Sequence, residues 1–107
     1  MSAEYMHIGI PVLNKKPGMT YVEGAKFWCS NTDDYDYKIE YLKFEEGTGF
    51  PEILNRQWHV AYKVDDLDKY AKEADRILVP TMTMDNGDRL SFVELDGAII
   101  ELYEPKK

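Results

Sequence analysis

Hydrophobic and polar positions alternate over several short stretches of the chain, a period of two that is typical of β-strands. The clearest case is His-Val-Ala-Tyr-Lys-Val at 59–64, in which valine and tyrosine alternate with histidine, alanine and lysine. The same pattern, together with β-branched and aromatic residues, predicts further strands. In chain order, the predicted strands cover 5–13, 25–30, 36–45, 59–64, 77–84, 89–95 and 98–103.

One stretch has the helical period instead. Leu67, Tyr70, Ala71 and Ala74 follow the i, i+3, i+4, i+7 spacing of a short amphipathic helix. The sequence Asp-Asp-Leu-Asp at 65–68 just before it suggests a helix cap by either of the first two aspartates. A calcium loop is disfavoured there, because the glycine and the distal glutamate of an EF-hand are missing. Between 18 and 24 there is room for little more than one helical turn, so no full helix is expected.

Turn signals divide the chain into two halves. Asn86-Gly87 and Asp96-Gly97 are hairpin signals in the second half, and the glycine- and proline-containing stretch 46–56 is a seam between the halves. The second half therefore reads β-α-β-β-β, and the first half reads as a shortened β-turn-β-β version. We interpret the chain as a single domain, 1–107, of two modules covering about 1–50 and about 57–104.

The two halves also carry similar residues. His7 and His59 each open a strand, and Lys-Ile-Glu-Tyr-Leu at 38–42 resembles Ile-Ile-Glu-Leu-Tyr at 99–103. Each half thus begins with a histidine-bearing strand and closes with a glutamate-bearing one. Two imidazoles and two carboxylates are suitable ligands for a divalent metal ion. Glu101 alternates with apolar neighbours that can fill the core, whereas Glu40 shares its predicted face with Leu42 and Phe44, where an isolated carboxylate is costly.

Composition and charge restrict the function classes. The chain has 107 residues, an apolar fraction of 44%, an aromatic fraction of 13% and a net charge of −7. These values fit one globular domain. The negative charge argues against nucleic acid and against an anionic membrane surface as partners. Five aromatic residues are expected in the core or in a pocket wall: Trp28, Tyr41, Trp58, Tyr62 and Tyr103.

Cysteine content and the absence of targeting signals predict a cytoplasmic protein. Cys29 is the only cysteine, so no intrachain disulfide can form, and we expect a reducing compartment with Cys29 as a small core residue. The first residues lack the apolar region of a signal peptide. No run approaches the roughly 20 apolar residues of a membrane span.

Three segments together resemble the vicinal oxygen chelate superfamily, especially its small glyoxalase-like (lactoylglutathione lyase-like) domains. They are His-Ile-Gly-Ile at 7–10, His-Val-Ala-Tyr-Lys-Val-Asp-Asp-Leu at 59–67 and Ile-Glu-Leu at 100–102. The resemblance implies an α+β fold in which paired βαβββ modules form an incomplete barrel around one divalent ion. The first module departs from the pattern, because 33 positions lead from His7 to Glu40 but 42 lead from His59 to Glu101.

The resemblance also implies a function. His7, Glu40, His59 and Glu101 would bind Zn, Ni, Fe or Mn and leave two adjacent positions for neighbouring substrate oxygens. Glu101 or Glu40 would act as the base, and the ion would stabilise an enediolate, as in a metal-dependent isomerase or lyase acting on a small vicinal-oxygen substrate.

Two alternatives remain, an extradiol dioxygenase-like enzyme and a non-catalytic small-molecule binding or resistance protein of the same fold. No compact basic cluster favours glutathione as part of the substrate. A homodimer is expected, because so small a domain leaves sheet edges and apolar surface to be covered.

Overall fold

The computed structural model describes residues 2–107, which form β-strands and one short α-helix, so the predicted α+β class is confirmed. The chain divides into two compact units. We call 7–58 the amino-terminal unit, and His59–Lys107 together with the residues up to Met6 the carboxy-terminal unit. The elements are β1 Ala3–Pro11, β2 Thr20–Val22, β3 Phe27–Cys29, β4 Ile39–Phe44, β5 His59–Val64, α1 Leu67–Lys72, β6 Arg76–Thr83, β7 Arg89–Leu95 and β8 Ala98–Glu104.

The carboxy-terminal unit has the predicted β-α-β-β-β order. Strand β5 pairs with β8 in parallel, β8 pairs with β7 antiparallel, and β7 pairs with β6 antiparallel. The two predicted hairpin turns join β6 to β7 and β7 to β8. Gly87, Asp96 and Gly97 all have positive φ there (94°, 52° and 84°), the conformation that glycine and aspartate tolerate best in tight turns.

The core of this unit lies between α1 and one face of the sheet. Its buried residues are Val64, Leu67, Val93 and Leu102. Because successive side chains of a strand point to opposite faces, β5 and β8 use their even-numbered residues for this core. Their odd-numbered residues, which include His59 and Glu101, therefore lie on the face away from the helix.

Helix α1 begins with two side-chain contacts to its free N–H groups. Asp66 is the N-cap, and its carboxylate accepts a hydrogen bond from the Lys69 backbone N–H (3.3 Å), which confirms the predicted cap. The Glu104 carboxylate, at the end of β8, accepts a second hydrogen bond from the Leu67 N–H (2.8 Å). The last strand of the unit thus anchors the start of its helix.

The amino-terminal unit contains one strand more than the sequence predicted. Strand β1, from His7 onward, pairs with β4 in parallel, β4 pairs antiparallel with β3, and β3 pairs antiparallel with β2. The prediction of β-turn-β-β was wrong because it left out β2. This strand has three residues, all exposed, so it shows no alternation, and its pairing with β3 is what makes it a strand. What the first module lacks, relative to the second, is the helix.

The prediction of buried aromatic residues fails at Trp58. Its side chain is 64% exposed, because it lies just before β5 and outside the packed faces of the sheet. Trp28 is half-buried, packs against Tyr21 with ring centroids 4.9 Å apart and donates its indole N–H to Glu45 (3.2 Å). Within residues 2–107, no helix has the length and apolar character that crossing a membrane requires.

Candidate metal centre

The first histidine–glutamate pair is formed by β1 and β4. In the register of these parallel strands, Gly9 lies opposite Glu40, and His7 stands two residues before Gly9 on the same face. The His7 Nε2 and Glu40 Oε1 atoms are 3.4 Å apart, and the two side chains are 6% and 21% exposed. Glu40 therefore faces His7, and its carboxylate is not isolated among the apolar side chains of its face.

The second pair is formed by β5 and β8 in the same way. Ala61 lies opposite Glu101, and His59 stands two residues before Ala61. The His59 Nε2 and Glu101 Oε1 atoms are 3.1 Å apart, and the side chains are 2% and 10% exposed. The next strand, β7, places Phe92 opposite Glu101, and its ring meets the His59 imidazole edge-on with centroids 5.1 Å apart. The aromatic ring fixes the imidazole plane by packing.

Both pairs share a feature that the sequence analysis did not identify. In each, the residue opposite the glutamate is very small: Gly9 in the first pair and Ala61 in the second, and both are buried. The sequence contains this pattern as His-x-Gly at 7–9 and His-x-Ala at 59–61. Which residue lies opposite each glutamate depends on the strand register, which is a tertiary property.

The geometry within each pair fits ligation of a metal ion. Two ligands bound about 2.1 Å from one ion at angles of about 90–110° lie roughly 3.0–3.4 Å apart. The observed separations of 3.4 Å and 3.1 Å fall in this range, and both involve Nε2 of the histidine and Oε1 of the glutamate. Imidazole nitrogen and carboxylate oxygen are ligand types that could hold a divalent ion here.

An apolar surface adjoins Glu40 in the amino-terminal unit. Glu40, Leu42 and Phe44 alternate along β4 on one face, and Phe44 packs against Phe27 and Phe50 with centroids 5.6 Å and 5.8 Å apart. Such surroundings strengthen electrostatic interactions of the carboxylate by excluding water.

Cys29 lies on the same face but does not have the properties of a nucleophile. It pairs with Leu42 across β3 and β4 and is half-buried. Burial, and to a lesser degree the charge of Glu40, raises the pKa of its thiol to about 11. The thiol is therefore protonated at neutral pH, in agreement with the expectation of a small core residue rather than a reactive thiolate.

Comparison with known proteins identifies the fold. No protein-family model and no curated protein matches the chain. A solved structure described as hypothetical protein BH1468 from Bacillus halodurans C-125 is similar with a TM-score of 0.62 and 14% identity, covering 100% of this chain and 97% of that one. Methylmalonyl-CoA epimerase from Mycobacterium tuberculosis is similar with a TM-score of 0.59 and 17% identity, covering 97% of this chain and 89% of that one. At these identities the likeness concerns the fold alone, and the chain has a glyoxalase-like α+β fold, which confirms the predicted fold class.

Proposed function

We propose that this protein is a metal-dependent enzyme that moves a proton on a small substrate with two neighbouring oxygens, by isomerase or lyase chemistry. In this proposal His7, Glu40, His59 and Glu101 bind one divalent ion: Zn, Ni, Fe or Mn. The observation that carries it is the repeated construction of the two histidine–glutamate pairs. Both use the same atoms, and in both a small residue two positions after the histidine lies opposite the carboxylate.

The donor set distinguishes this proposal from a purely structural role for the pairs. A histidine–carboxylate hydrogen bond alone would explain either pair singly. It gives no reason for both modules to combine a histidine, a small residue two positions later and a carboxylate across the parallel strand. Four protein ligands of nitrogen and oxygen type leave open positions on a six-coordinate ion, as catalytic sites require.

The carboxylates are the candidates for moving the proton. Glu101 or Glu40 would take it from the carbon next to a carbonyl, and the electron pair left behind would delocalise onto oxygen as an enediolate. A bound divalent ion would supply Lewis-acid stabilisation of that negative charge. Return of the proton to the neighbouring carbon gives an isomerisation, and return to the opposite side of the same carbon gives an epimerisation.

The structural neighbour is consistent with this class of reaction. Methylmalonyl-CoA epimerase is by its name an epimerase, and an epimerase changes the configuration at one carbon. Removing and returning a proton there, as described above, achieves such a change. We therefore extend the proposed substrates to include compounds in which the exchanged proton lies between two carbonyl groups. The apolar wall formed by Phe27, Phe44 and Phe50 supports a substrate with an apolar portion.

The test separates metal binding from proton transfer. Protein purified without a histidine tag is analysed for metal content, and then incubated in D₂O with hydroxyketones, hydroxythioacetals and malonyl thioesters. Proton transfer is read by NMR as deuterium that enters the substrate at one carbon. Wild type should retain close to one divalent ion per chain and exchange at least one compound, whereas protein stripped with a chelator should not exchange until the ion is restored.

A control variant completes the experiment. Glu46→Gln removes one carboxylate charge from an exposed position in a turn, and it should change neither the metal content nor the deuterium exchange. Protein that carries no metal after purification and binds none on titration contradicts the proposal. Protein that holds metal but exchanges no compound in the panel supports the non-catalytic binding protein instead.

The proposal also covers the cellular location, the oligomeric state and the partners of the protein. We propose a cytoplasmic homodimer that does not bind nucleic acid. The net charge of −7 and the single cysteine support this, and so do β2 and β6, each of which ends the strand order of its own unit. Edge strands and exposed apolar side chains favour association of this kind.

A further inference from the structure

A cavity of about 180 Å³ lies in the carboxy-terminal unit, away from the histidine–glutamate pairs. It is bounded by α1 and by the sheet face that packs on the helix, whereas His59 and Glu101 are on the other face. Its walls are almost entirely apolar and include Tyr62, Tyr70, Ala74, Val93 and Ile100. The cavity therefore has no part in the proposed metal centre.

Two of the lining residues are small, and they stand among larger apolar residues such as Tyr62 and Ile100. Helix α1 ends at Lys72 after six residues, and the lining positions just after it and in β1 include Ala74 and Ala3. Neither alanine side chain extends far enough to fill the space between helix and sheet. Natural cores are close-packed and seldom leave a void of this size, so an apolar cavity that opens to the surface is a candidate ligand site.

The charge at the cavity is negative. Glu73 is the ionisable carboxylate among its lining residues, and none of the lining residues described carries a positive charge. Burial raises the pKa of the Tyr70 hydroxyl, and the charges of Asp65 and Glu73 raise it further, which places both carboxylates within electrostatic reach of that hydroxyl. A cation at the opening would be stabilised, and an anion would be repelled.

We propose that this cavity binds a small arylalkylammonium compound, with its ring among the apolar walls and its ammonium group beside Glu73. A cavity of about 150 Å³ in another protein binds benzene, so about 180 Å³ accommodates one ring with a short chain. The rings of Tyr62 and Tyr70 offer π-faces and edges to an aromatic guest. The Glu73 carboxylate selects a cation over a neutral or anionic compound of the same shape.

Three compounds of nearly equal shape test the proposal: 2-phenylethylamine, 2-phenylethanol and phenylacetate. Each is titrated into the full-length ¹⁵N-labelled protein, and binding is followed by backbone amide shifts. The amine should give saturable shifts centred on Tyr70, Ala74 and Val93. Because Glu73 is exposed, its contribution is that of a surface ion pair, so the amine should bind about two- to fivefold more tightly than the alcohol. Phenylacetate should bind most weakly.

Two variants and one control assign the result to the cavity and to the charge. Ala74→Leu fills the space, and it should abolish binding while leaving the fold intact or more stable. Glu73→Gln should bring the affinity for the amine down to that for the alcohol, and this exposed substitution does not endanger folding. Glu46→Gln removes the same charge from the other unit and should change neither affinity.

Several results would overturn the proposal. Shifts that do not saturate, or that centre on residues outside the cavity, mean that no site is present. Equal affinities for amine and alcohol in the wild type, or tighter binding of phenylacetate, contradict the assignment to a cation. Unchanged binding in a folded Ala74→Leu variant excludes the cavity as the place of binding.

Discussion

Replacing the buried Glu104 should destabilise the protein more than replacing any of the exposed or half-exposed charged residues around α1. Its side chain is 6% exposed and accepts two hydrogen bonds, from the Leu67 backbone N–H (2.8 Å) and from Arg89 Nη1 (3.1 Å). In Glu104→Ala the Leu67 N–H, which belongs to a fully buried residue, loses its partner. An orphaned buried donor costs about 1–3 kcal/mol.

The ion pair adds less to the loss. Arg89 is 30% exposed and keeps its contact to Asp68 (2.8 Å), so losing Glu104 costs about 0–1 kcal/mol from this interaction. Together we expect a loss of about 1–4 kcal/mol in the free energy of unfolding, which for a domain of this size lowers Tm by roughly 4–30 °C. Glu104→Gln keeps an oxygen that can accept from Leu67 and should lose about 1 kcal/mol.

The free energy of unfolding is measured by urea titration, with far-UV circular dichroism as the signal. The variants are compared with wild type provided that their m-values agree. Asp68→Asn is the matched control, because it removes the other carboxylate of the same arginine from a position that is 72% exposed. The Asp68→Asn variant should lose less than about 1 kcal/mol in the free energy of unfolding. If Glu104→Ala is no more destabilising than Asp68→Asn, water satisfies the Leu67 N–H and the anchoring argument is wrong.

Three further outcomes follow from the site and the surface. Glu101→Gln should keep part of the bound metal, while turnover on an identified substrate falls by at least about 100-fold. His59→Ala should lose metal and activity together. Metal analysis and rate measurements on both variants check this. Cys29 should react with a thiol reagent at pH 8 about 100-fold more slowly in the folded than in the urea-unfolded protein. The reason is that folding raises the pKa of its thiol from 9.0 to about 11, so less thiolate is present. Equal rates in the two states refute this prediction. Sedimentation at tens of micromolar should show a dimer, and a monomer there contradicts the proposed association.

The sequence predicted the second module well, because local signals were strong there. Alternation at 59–64, the helical spacing after it, and the Asn-Gly and Asp-Gly turns each depend on a few neighbouring residues. The structure places β5, α1, β7 and β8 within one or two residues of those predictions, and β6 starts one residue earlier than predicted. Local periodicity and turn chemistry suffice where each strand has one clearly apolar face.

The first module depended more on tertiary structure. Strand β2 consists of three exposed residues and exists through its pairing with β3, so no period could reveal it. Trp58 is apolar yet exposed, because burial is decided by what packs on a residue and not by its own hydrophobicity.

The candidate site divides in the same way. The sequence by itself predicted His7, Glu40, His59 and Glu101, because matching residue types in the two halves suggested a duplication and resembled the vicinal oxygen chelate pattern. Only the structure shows that Gly9 lies opposite Glu40 and Ala61 opposite Glu101, and that each carboxylate reaches its histidine. The reason is that strand register joins residues more than 30 positions apart along the chain, and a shift of one residue would turn every one of these side chains to the other face.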